Sequence, residues 1–338
     1  MTGQRRPTLE AVAARAGVGR GTVSRVINGS PKVSLEAREA VLQAIEELGY
    51  VPNRAARTLV TRRTDTVALV MSASEERIWD EPYFAGIIRG ISTGLAGTGF
   101  QLLLAFAQSR AEHEQLERYL SGQHVDGVLL ISLHGDDPLP RHLESQGVPT
   151  VLGGTPVGTD LSSVTCVDAD NRGGARLAVA HLVERGRLRI ATISGPQDMQ
   201  VGVDRLAGYR DTLEAAGLPA DLVAFGDFGE ESGAAAMRTL LDREPMLDAV
   251  FGASDPMAAG AMRVLRESGR SIPSDVAVVG FDDSVTARHA APQLTSVHQP
   301  VDAMGREMSR LLVARIRGED VRPGAVILDT HLVVRESS

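Results

Sequence analysis

The part of the chain that follows residue 63 alternates strand-like and helix-like segments, and this alternation limits the fold more than any other feature of the sequence. Apolar runs rich in β-branched residues are separated by stretches with helical periodicity, such as Gly173–Arg185. This order is typical of parallel sheets covered by helices, with ligands bound at the carboxyl ends of the strands. The eight predicted strands suit two doubly wound lobes, and they are Thr66–Met71, Gln101–Phe106, Gly127–Ile131, Thr150–Leu152, Arg189–Ile193, Leu222–Phe225, Ala249–Phe251 and Val276–Phe281.

Positive charge is concentrated at the amino-terminal end, although the whole chain carries a formal net charge of -8. Residues 1–63 contain eleven Lys and Arg but five Asp and Glu, so the remaining residues carry the excess of negative charge. A basic head on an acidic body is typical of a protein whose head contacts a polyanion such as DNA. Charge alone leaves a chance accumulation of surface arginines equally open.

The sequence contains no pattern of catalytic or metal-binding chemistry. Cys166 has no second cysteine to pair with, and the eight histidines show neither an HExxH motif nor zinc-site spacing. No apolar run is long enough to span a membrane, and the amino terminus has no signal-peptide pattern. We therefore expect a cytoplasmic binding protein rather than an enzyme, with no cofactor, no bound metal and no membrane partner.

The basic head is predicted to contain three short helices. Thr8 is suited to cap a helix over Leu9–Ala16, a second helix begins at residue 19 or 20 and ends near Asn28, and a third covers Leu35–Leu48. The turn between the first two is only Gly17-Val18-Gly19. Two helices joined by so short a glycine-containing turn predict a helix-turn-helix unit.

The second predicted helix has a polar face opposite its apolar stripe. Gly21, Arg25 and Asn28 follow helical spacing on that face. Arg25 is able to donate two hydrogen bonds to the O6 and N7 edge of guanine, whereas Thr22, Ser24 and Asn28 suit phosphates or base edges. A solvated helix face has a similar composition, but the short turn and the basic charge favour DNA binding.

The segment after the third helix is expected to fold only against a partner. Asn53–Val60 is rich in helix formers but too short to be stable alone. Arginines surround Leu59, and an apolar side chain in a basic setting is suited to wedge between base steps in a minor groove. The alternative is a plain linker whose leucine packs on the body.

Several motifs together resemble LacI/GalR-type bacterial repressors, and the resemblance covers essentially residues 7–335. The motifs are Thr22-Val23-Ser24-Arg25-Val26-Ile27-Asn28-Gly29, Leu48-Gly49-Tyr50-Val51-Pro52-Asn53, Val279-Gly280-Phe281-Asp282-Asp283 and Leu294-Thr295-Ser296-Val297-His298-Gln299-Pro300. The resemblance implies an all-α helix-turn-helix domain over residues 1–51, a hinge helix or linker over 52–63, and a domain over 64–338 for effector binding and dimerisation. The last is implied to be an α/β, two-lobed, periplasmic-binding-protein-like domain with parallel sheets. Lobe 1 is expected over about 64–165 and 296–325, and lobe 2 over about 166–295 and 326–338.

The resemblance also implies a function and its residues. A homodimer binds a pseudopalindromic double-stranded DNA operator, represses carbohydrate utilisation genes, and is released by a small sugar effector, for which cellobiose is our first candidate. The implied DNA contacts are Thr8, Arg20, Gly21, Thr22, Ser24, Arg25, Asn28, Asn53, Arg57 and Leu59. The implied effector contacts are Tyr83, Phe84, Arg205, Phe228, Ser254, Asp282 and Gln299, to which the nearby Trp79 is added. Gly21 departs from the family pattern because a residue with a side chain usually stands there.

Two other functions remain open from the sequence. A corepressor-dependent regulator would bind a nucleobase or a sugar phosphate and would hold DNA more tightly when it is loaded. A solute-binding protein without a DNA function would need an export signal, which the sequence does not show. Titrating an operator with and without candidate ligands separates these hypotheses.

Overall fold

The computed structural model describes residues 7–27, 30–50, 63–72, 78, 81–107, 110–135, 137–158 and 164–338. The chain divides into two compact units, Met1–Thr64 and Asp65–Ser338. The expected linker ends at residue 63, next to this division, but its residues 52–62 lie outside the described residues.

The first unit contains the predicted helix-turn-helix, which is confirmed. Its helices are α1 (Leu9–Ala16), α2 (Arg20–Ile27) and α3 (Leu35–Leu48). The Thr8 side chain accepts a hydrogen bond from the Ala11 amide at 3.3 Å, and Gly17 ends α1 in the left-handed conformation at φ 67°. One apolar side chain from each helix, Val12, Val23 and Val41, is fully buried where the three meet. The outer face of α2 is thereby left to solvent.

The second unit contains two six-stranded sheets in its described part. The strands are β1 (Thr66–Met71), β2 (Gln101–Phe106), β3 (Gly127–Ile131), β4 (Thr150–Gly153), β5 (Thr165–Ala169), β6 (Ile190–Ser194), β7 (Val223–Phe225), β8 (Ala249–Gly252), β9 (Ala277–Asp282), β10 (Thr295–His298), β11 (Gly324–Leu328) and β12 (His331–Val333). The first sheet has the order β11-β5-β4-β3-β1-β2 and is parallel throughout. The second has the order β12-β10-β9-β8-β6-β7, and only β12 is antiparallel to its neighbour. The predicted two-lobed architecture with parallel sheets is confirmed.

Helices cover both faces of each sheet, as expected for a doubly wound fold. They are α4 (Pro82–Leu95), α5 (Arg110–Ser121), α6 (Leu139–Ser145), α7 (Asn171–Glu184), α8 (Gln200–Ala215), α9 (Glu230–Arg243), α10 (Asp255–Glu267), α11 (Val285–His289) and α12 (Val301–Ile316). The first sheet packs against α4 and α12 on one face and against α5 and α6 on the other. The second packs between the α7–α8 pair and the α9–α10 pair. Each helix in the described part is too short or too polar to cross a bilayer.

Four strands were not predicted from the sequence: β5, β10, β11 and β12. The chain passes between the two sheets after β5, after β10 and between β11 and β12, which differs from the expected limits near 165, 295 and 325. The reason is the strand register. Cys166 pairs with Leu152 and with Ala325, so β5 and β11 stay in the first sheet to their ends. Thr295 pairs with Val279, which keeps β10 in the second sheet. The crossings therefore lie three or four residues later than expected.

Candidate functional site

A cleft opens at the carboxyl ends of the strands of both sheets, where parallel folds bind their ligands. Its empty space, counted out to the mouth, is about 840 Å³, which is within the range of small-molecule sites. Seven of the eight predicted effector residues line it: Tyr83, Phe84, Arg205, Phe228, Ser254, Asp282 and Gln299. The eighth, Trp79, lies outside the described residues. Residues far apart in the chain are thus brought to one cavity by the sheet topology.

Arg205 of α8 is the centre of a buried hydrogen-bond network. Arg205 is 3 % exposed. Nε donates to the Asn171 side-chain oxygen at 3.0 Å, and Nη2 donates to the Gln299 side-chain oxygen at 3.0 Å. Nη1 donates to the Ala253 carbonyl at 2.5 Å and lies 3.5 Å from the Asp282 carboxylate. The network therefore joins α7, α8, β8 and the two neighbouring strands β9 and β10.

Aromatic rings surround the same guanidinium. The Phe281 ring centroid lies 3.6 Å from the central carbon of Arg205, and the Phe228 centroid lies at 5.9 Å. The negative faces of aromatic rings attract such a cation. Burial nevertheless lowers the pKa of Arg205, and nearby carboxyl groups oppose this effect. Arg205 is thereby held rigidly by the protein and presents only part of its surface to a ligand.

Asp282 ends β9 with its backbone in the left-handed region, at φ 113°. A non-glycine residue in this region is strained unless its surroundings hold it there. Burial raises the pKa of Asp282 to about 8, although the charge of Arg205 acts in the opposite direction. The carboxyl group is thus able to act as a hydrogen-bond donor or acceptor near neutral pH. Either role suits a sugar hydroxyl, which is both donor and acceptor.

Asp168 is a cleft residue that the sequence reasoning missed. It lies in β5, and its carboxylate accepts hydrogen bonds from the Thr155 amide at 2.7 Å and from the Asn171 side chain at 2.9 Å. Burial raises its pKa, while the bonds from Thr155 and Ala169 lower it. It was missed because β5 was not predicted. The signal was present, since an acid near the carboxyl end of a parallel strand faces the ligand side of the fold.

Ser254 and Phe228 support each other at the wall of the cleft. The Ser254 hydroxyl donates to the Phe228 carbonyl at 2.9 Å and accepts from the Met257 amide at 3.2 Å, which caps α10. Phe228 is held at φ 77° with its ring against the cleft. Because the hydroxyl proton of Ser254 is used within the protein, this residue positions the wall and has only an acceptor left for a ligand.

Tyr83 and Phe84 begin α4 and differ in their exposure to the cleft. Phe84 is 1 % exposed, belongs to the core of the first lobe, and meets the Tyr83 ring edge-on with centroids 5.4 Å apart. Burial raises the pKa of Tyr83, and the nearby Asp168 carboxylate adds to the rise. Tyr83 therefore stays protonated and offers an OH group and part of a ring to the cleft, while Phe84 mainly holds it in place.

The two lobes also touch each other beside the cleft. The Gly135 amide of the loop after β3 donates to the Asp198 carbonyl at 2.7 Å. The His134 Nδ1 atom lies 2.9 Å from the Asp198 carboxylate. Both loops continue directly into residues that line the cleft, namely Leu133 on one side and Met199 on the other. We call this pair of contacts the clasp, because it bridges the lobes where the cavity is lined.

The candidate DNA-contacting surface is the outer face of α2. Arg20, Gly21 and Arg25 are exposed, whereas Thr22 and Ser24 are partly buried at its border. A Cβ atom at Gly21 would lie 3.8 Å from the Arg25 Nη2 atom, which is an ordinary van der Waals contact. Thr8 is exposed and caps α1. The remaining predicted contacts lie outside the described residues, and they are Asn28, Asn53, Arg57 and Leu59.

Comparisons with known proteins agree with this arrangement. Residues 8–53 match the family described as bacterial regulatory proteins, lacI family, and residues 179–338 match a periplasmic binding protein-like domain. The chain is 62% identical over 339 residues to the HTH-type transcriptional regulator CelR of Thermobifida fusca, with 100% of both chains covered. It is 34% identical to the HTH-type transcriptional repressor PurR of Escherichia coli O139:H28, with 98% of this chain and 96% of the relative covered.

Solved structures give the same result. A transcriptional regulator CelR–cellobiose complex superposes with a TM-score of 0.80 at 60% identity, covering 98% of this chain and 100% of that chain. A lac repressor dimer bound to operator and the anti-inducer ONPF superposes with a TM-score of 0.88 at 27% identity, covering 98% and 99%. The chain therefore belongs to the lacI family of bacterial regulatory proteins.

Proposed function

We propose that this protein is a homodimeric transcriptional repressor that leaves its pseudopalindromic operator when cellobiose, or a closely related oligosaccharide, occupies the cleft. The observation that carries the proposal is the composition of the cleft. Hydrogen-bonding groups of Asp168, Asp282 and Gln299 lie beside the Tyr83 and Phe228 rings in one cavity. Sugar rings have apolar faces and polar edges, and such a cavity is suited to bind both. A relative with 60% sequence identity was solved as a complex with cellobiose.

The charge of the cleft favours a neutral ligand over an anionic one. Among the described lining residues, Arg205 is the single cation. The guanidinium of Arg205 already donates to three protein oxygens. A phosphate needs free cationic donors, so the cleft is poorly suited to a sugar phosphate. A neutral disaccharide needs no such donor.

The head supports the DNA-binding half of the proposal. Arg20 and Arg25 project from the outer face of α2, the second helix of a helix-turn-helix, which enters the major groove in this class of protein. A dimer places two such helices in successive half-sites. The predicted Leu59 wedge and the contacts of Asn53 and Arg57 belong to the same proposal. Cellobiose would act by binding one arrangement of the two lobes more tightly than the other.

An anisotropy titration tests the proposal directly. The full-length protein is titrated onto an operator selected from random duplexes, first alone and then with cellobiose, glucose, maltose or guanine. We expect cellobiose to weaken operator binding at least 10-fold and the other ligands to have little effect. Tighter operator binding in the presence of guanine would instead support the corepressor hypothesis. Hydrolysis of cellobiose during the incubation would point to an enzyme.

A pair of matched variants localises the response. Asp282→Ala removes a carboxyl group from the cleft, whereas Asp242→Ala removes an exposed carboxyl group in the last turn of α9. We expect both to bind the operator like the unmodified protein, but only Asp282→Ala to lose release by cellobiose. A normal response in Asp282→Ala would remove this residue from the effector site.

A further inference from the structure

Glu10 and Arg20 form an ion pair between the first two helices of the head. The Arg20 Nη2 atom lies 3.1 Å from the Glu10 carboxylate, and both side chains are more than half exposed. Arg20 is the first residue of α2, and the first turns of such helices contact base edges in the major groove. Glu10 belongs to α1 but lies beside the start of α2, and a carboxylate there works against the attraction of the head to phosphates.

We propose that Glu10 is a specificity-determining residue of the operator-binding surface, which acts by holding the Arg20 guanidinium in one pose. This inference rests on the proposed role of Arg20 in reading DNA. A bidentate contact with guanine requires the guanidinium to lie in the plane of the base, whereas a phosphate accepts it in many orientations. Fixing the guanidinium therefore favours base readout over loose attachment to the backbone.

Other interactions of Glu10 favour the charged form of its carboxyl group. Hydrogen bonds from its own backbone and from the Thr8 side chain, together with the charge of Arg20, hold the pKa of Glu10 below its usual value. The carboxylate is therefore charged and oriented at neutral pH. Within α2 there is no acidic residue in the first turn, and Gly21 offers no side chain to brace Arg20 from its own helix. The carboxylate that holds the Arg20 side chain is therefore supplied by α1.

The pair should also penalise binding to DNA of the wrong sequence. When the head rests loosely on DNA, the Glu10 carboxylate competes with the phosphates for the Arg20 guanidinium. This competition increases the ratio of operator affinity to affinity for scrambled DNA, which we call the specificity ratio.

The head contains a matched control for this test. Arg15 and Glu47 form a second exposed ion pair at 2.5 Å, between α1 and α3, away from the reading helix. Glu10→Gln and Glu47→Gln each remove one negative charge from the same small unit. Both variants are expected to bind scrambled DNA more tightly, because nonspecific binding depends on charge, and Glu10→Gln more so, because it also releases Arg20 for phosphates. Only Glu10→Gln should lower the specificity ratio.

Anisotropy titrations of the full-length variants on the selected operator and on its scrambled form measure this ratio. We expect Glu10→Gln to lower it about 2- to 5-fold, the range for an exposed ion pair, and Glu47→Gln to leave it unchanged. In an Arg20→Ala background the Glu10→Gln change should have no further effect on the ratio. Equal ratios in Glu10→Gln and Glu47→Gln, or an undiminished effect of Glu10→Gln without Arg20, would overturn the proposal.

Two readouts separate this inference from the function on which it rests. If Arg20→Ala leaves the specificity ratio unchanged, Arg20 does not read DNA and both the role of Arg20 and the role of Glu10 are wrong. If Arg20→Ala lowers the ratio but Glu10→Gln does not, only the role of Glu10 is wrong. Release by cellobiose should be the same in all of these variants, since the changes lie in the first unit.

Discussion

Replacing Arg205 with alanine should destabilise the second unit, residues 65–338, by about 3–5 kcal/mol. The figure follows from the contacts that are lost. Three acceptor oxygens, on Asn171, Ala253 and Gln299, lose their donor in a buried site, at about 1 kcal/mol or more each. The lost contact with the Phe281 ring, which lies 3.6 Å away, adds roughly 1–2 kcal/mol.

Thermal unfolding followed by circular dichroism or calorimetry measures this loss. For a unit of this size, each kcal/mol lowers the melting temperature by about 2–4 °C, so a decrease of at least 6 °C or so is expected. Arg172→Ala is the control, because Arg172 pairs with Asp211 on the surface, where its side chain is 51% exposed. The melting temperature of this control should barely change. A decrease in Arg205→Ala no larger than that of the control would refute the claim that the network supports the cleft.

Two further predictions concern the cleft and the clasp. Burial raises the pKa of Asp282 to about 8, above the value of about 3.9 in an unfolded chain. The protonated carboxyl group therefore contributes fully to stability below about pH 4, and this contribution is lost as the pH rises from about 4 to about 8. Asp282→Asn should therefore show a smaller decrease in melting temperature across the upper part of this range; an unchanged pH profile would contradict the assignment. His134→Ala removes the contact with Asp198 at 2.9 Å and should speed cellobiose dissociation about 2- to 5-fold in stopped-flow measurements; an unaltered dissociation rate would show that the clasp does not hold the lobes over the ligand.

The sequence predicted the head more completely than the body. The ends of α1 and α3 matched the structure because they depend on local groups: Thr8 caps one helix, and Gly17 and Gly49 end the two in the left-handed conformation. In the body, β5 and β10 to β12 were missed. These strands are short. β11 owes its place to pairing with β5, 159 positions away, and β12 to pairing with β10, 33 to 37 positions away. Local periodicity carries no information about such partners.

Most effector residues of the cleft were predicted from the sequence, but their hydrogen-bonding roles were not. The family motifs pointed to Arg205, Asp282 and Gln299, and the structure places them in one network. The same motifs gave no indication that the Ser254 hydroxyl donates its proton to the Phe228 carbonyl. Asp168 was overlooked because its strand was not recognised. The type of each side chain is known from the sequence. How many hydrogen bonds it has left for a ligand depends on the bonds it makes with its neighbours in the folded protein.

Patterns of charge, helix ends and alternating strands were sufficient to establish a basic helix-turn-helix joined to a doubly wound body, because each depends on contacts between residues close in the chain. The tertiary structure alone decided where the chain crosses between the sheets and which acids become buried around Arg205. Those outcomes depend on strand register and on the loss of water from groups such as Asp282, which lies 77 residues from its arginine. Desolvation and long-range pairing arise only when the chain is folded, so no local pattern records them.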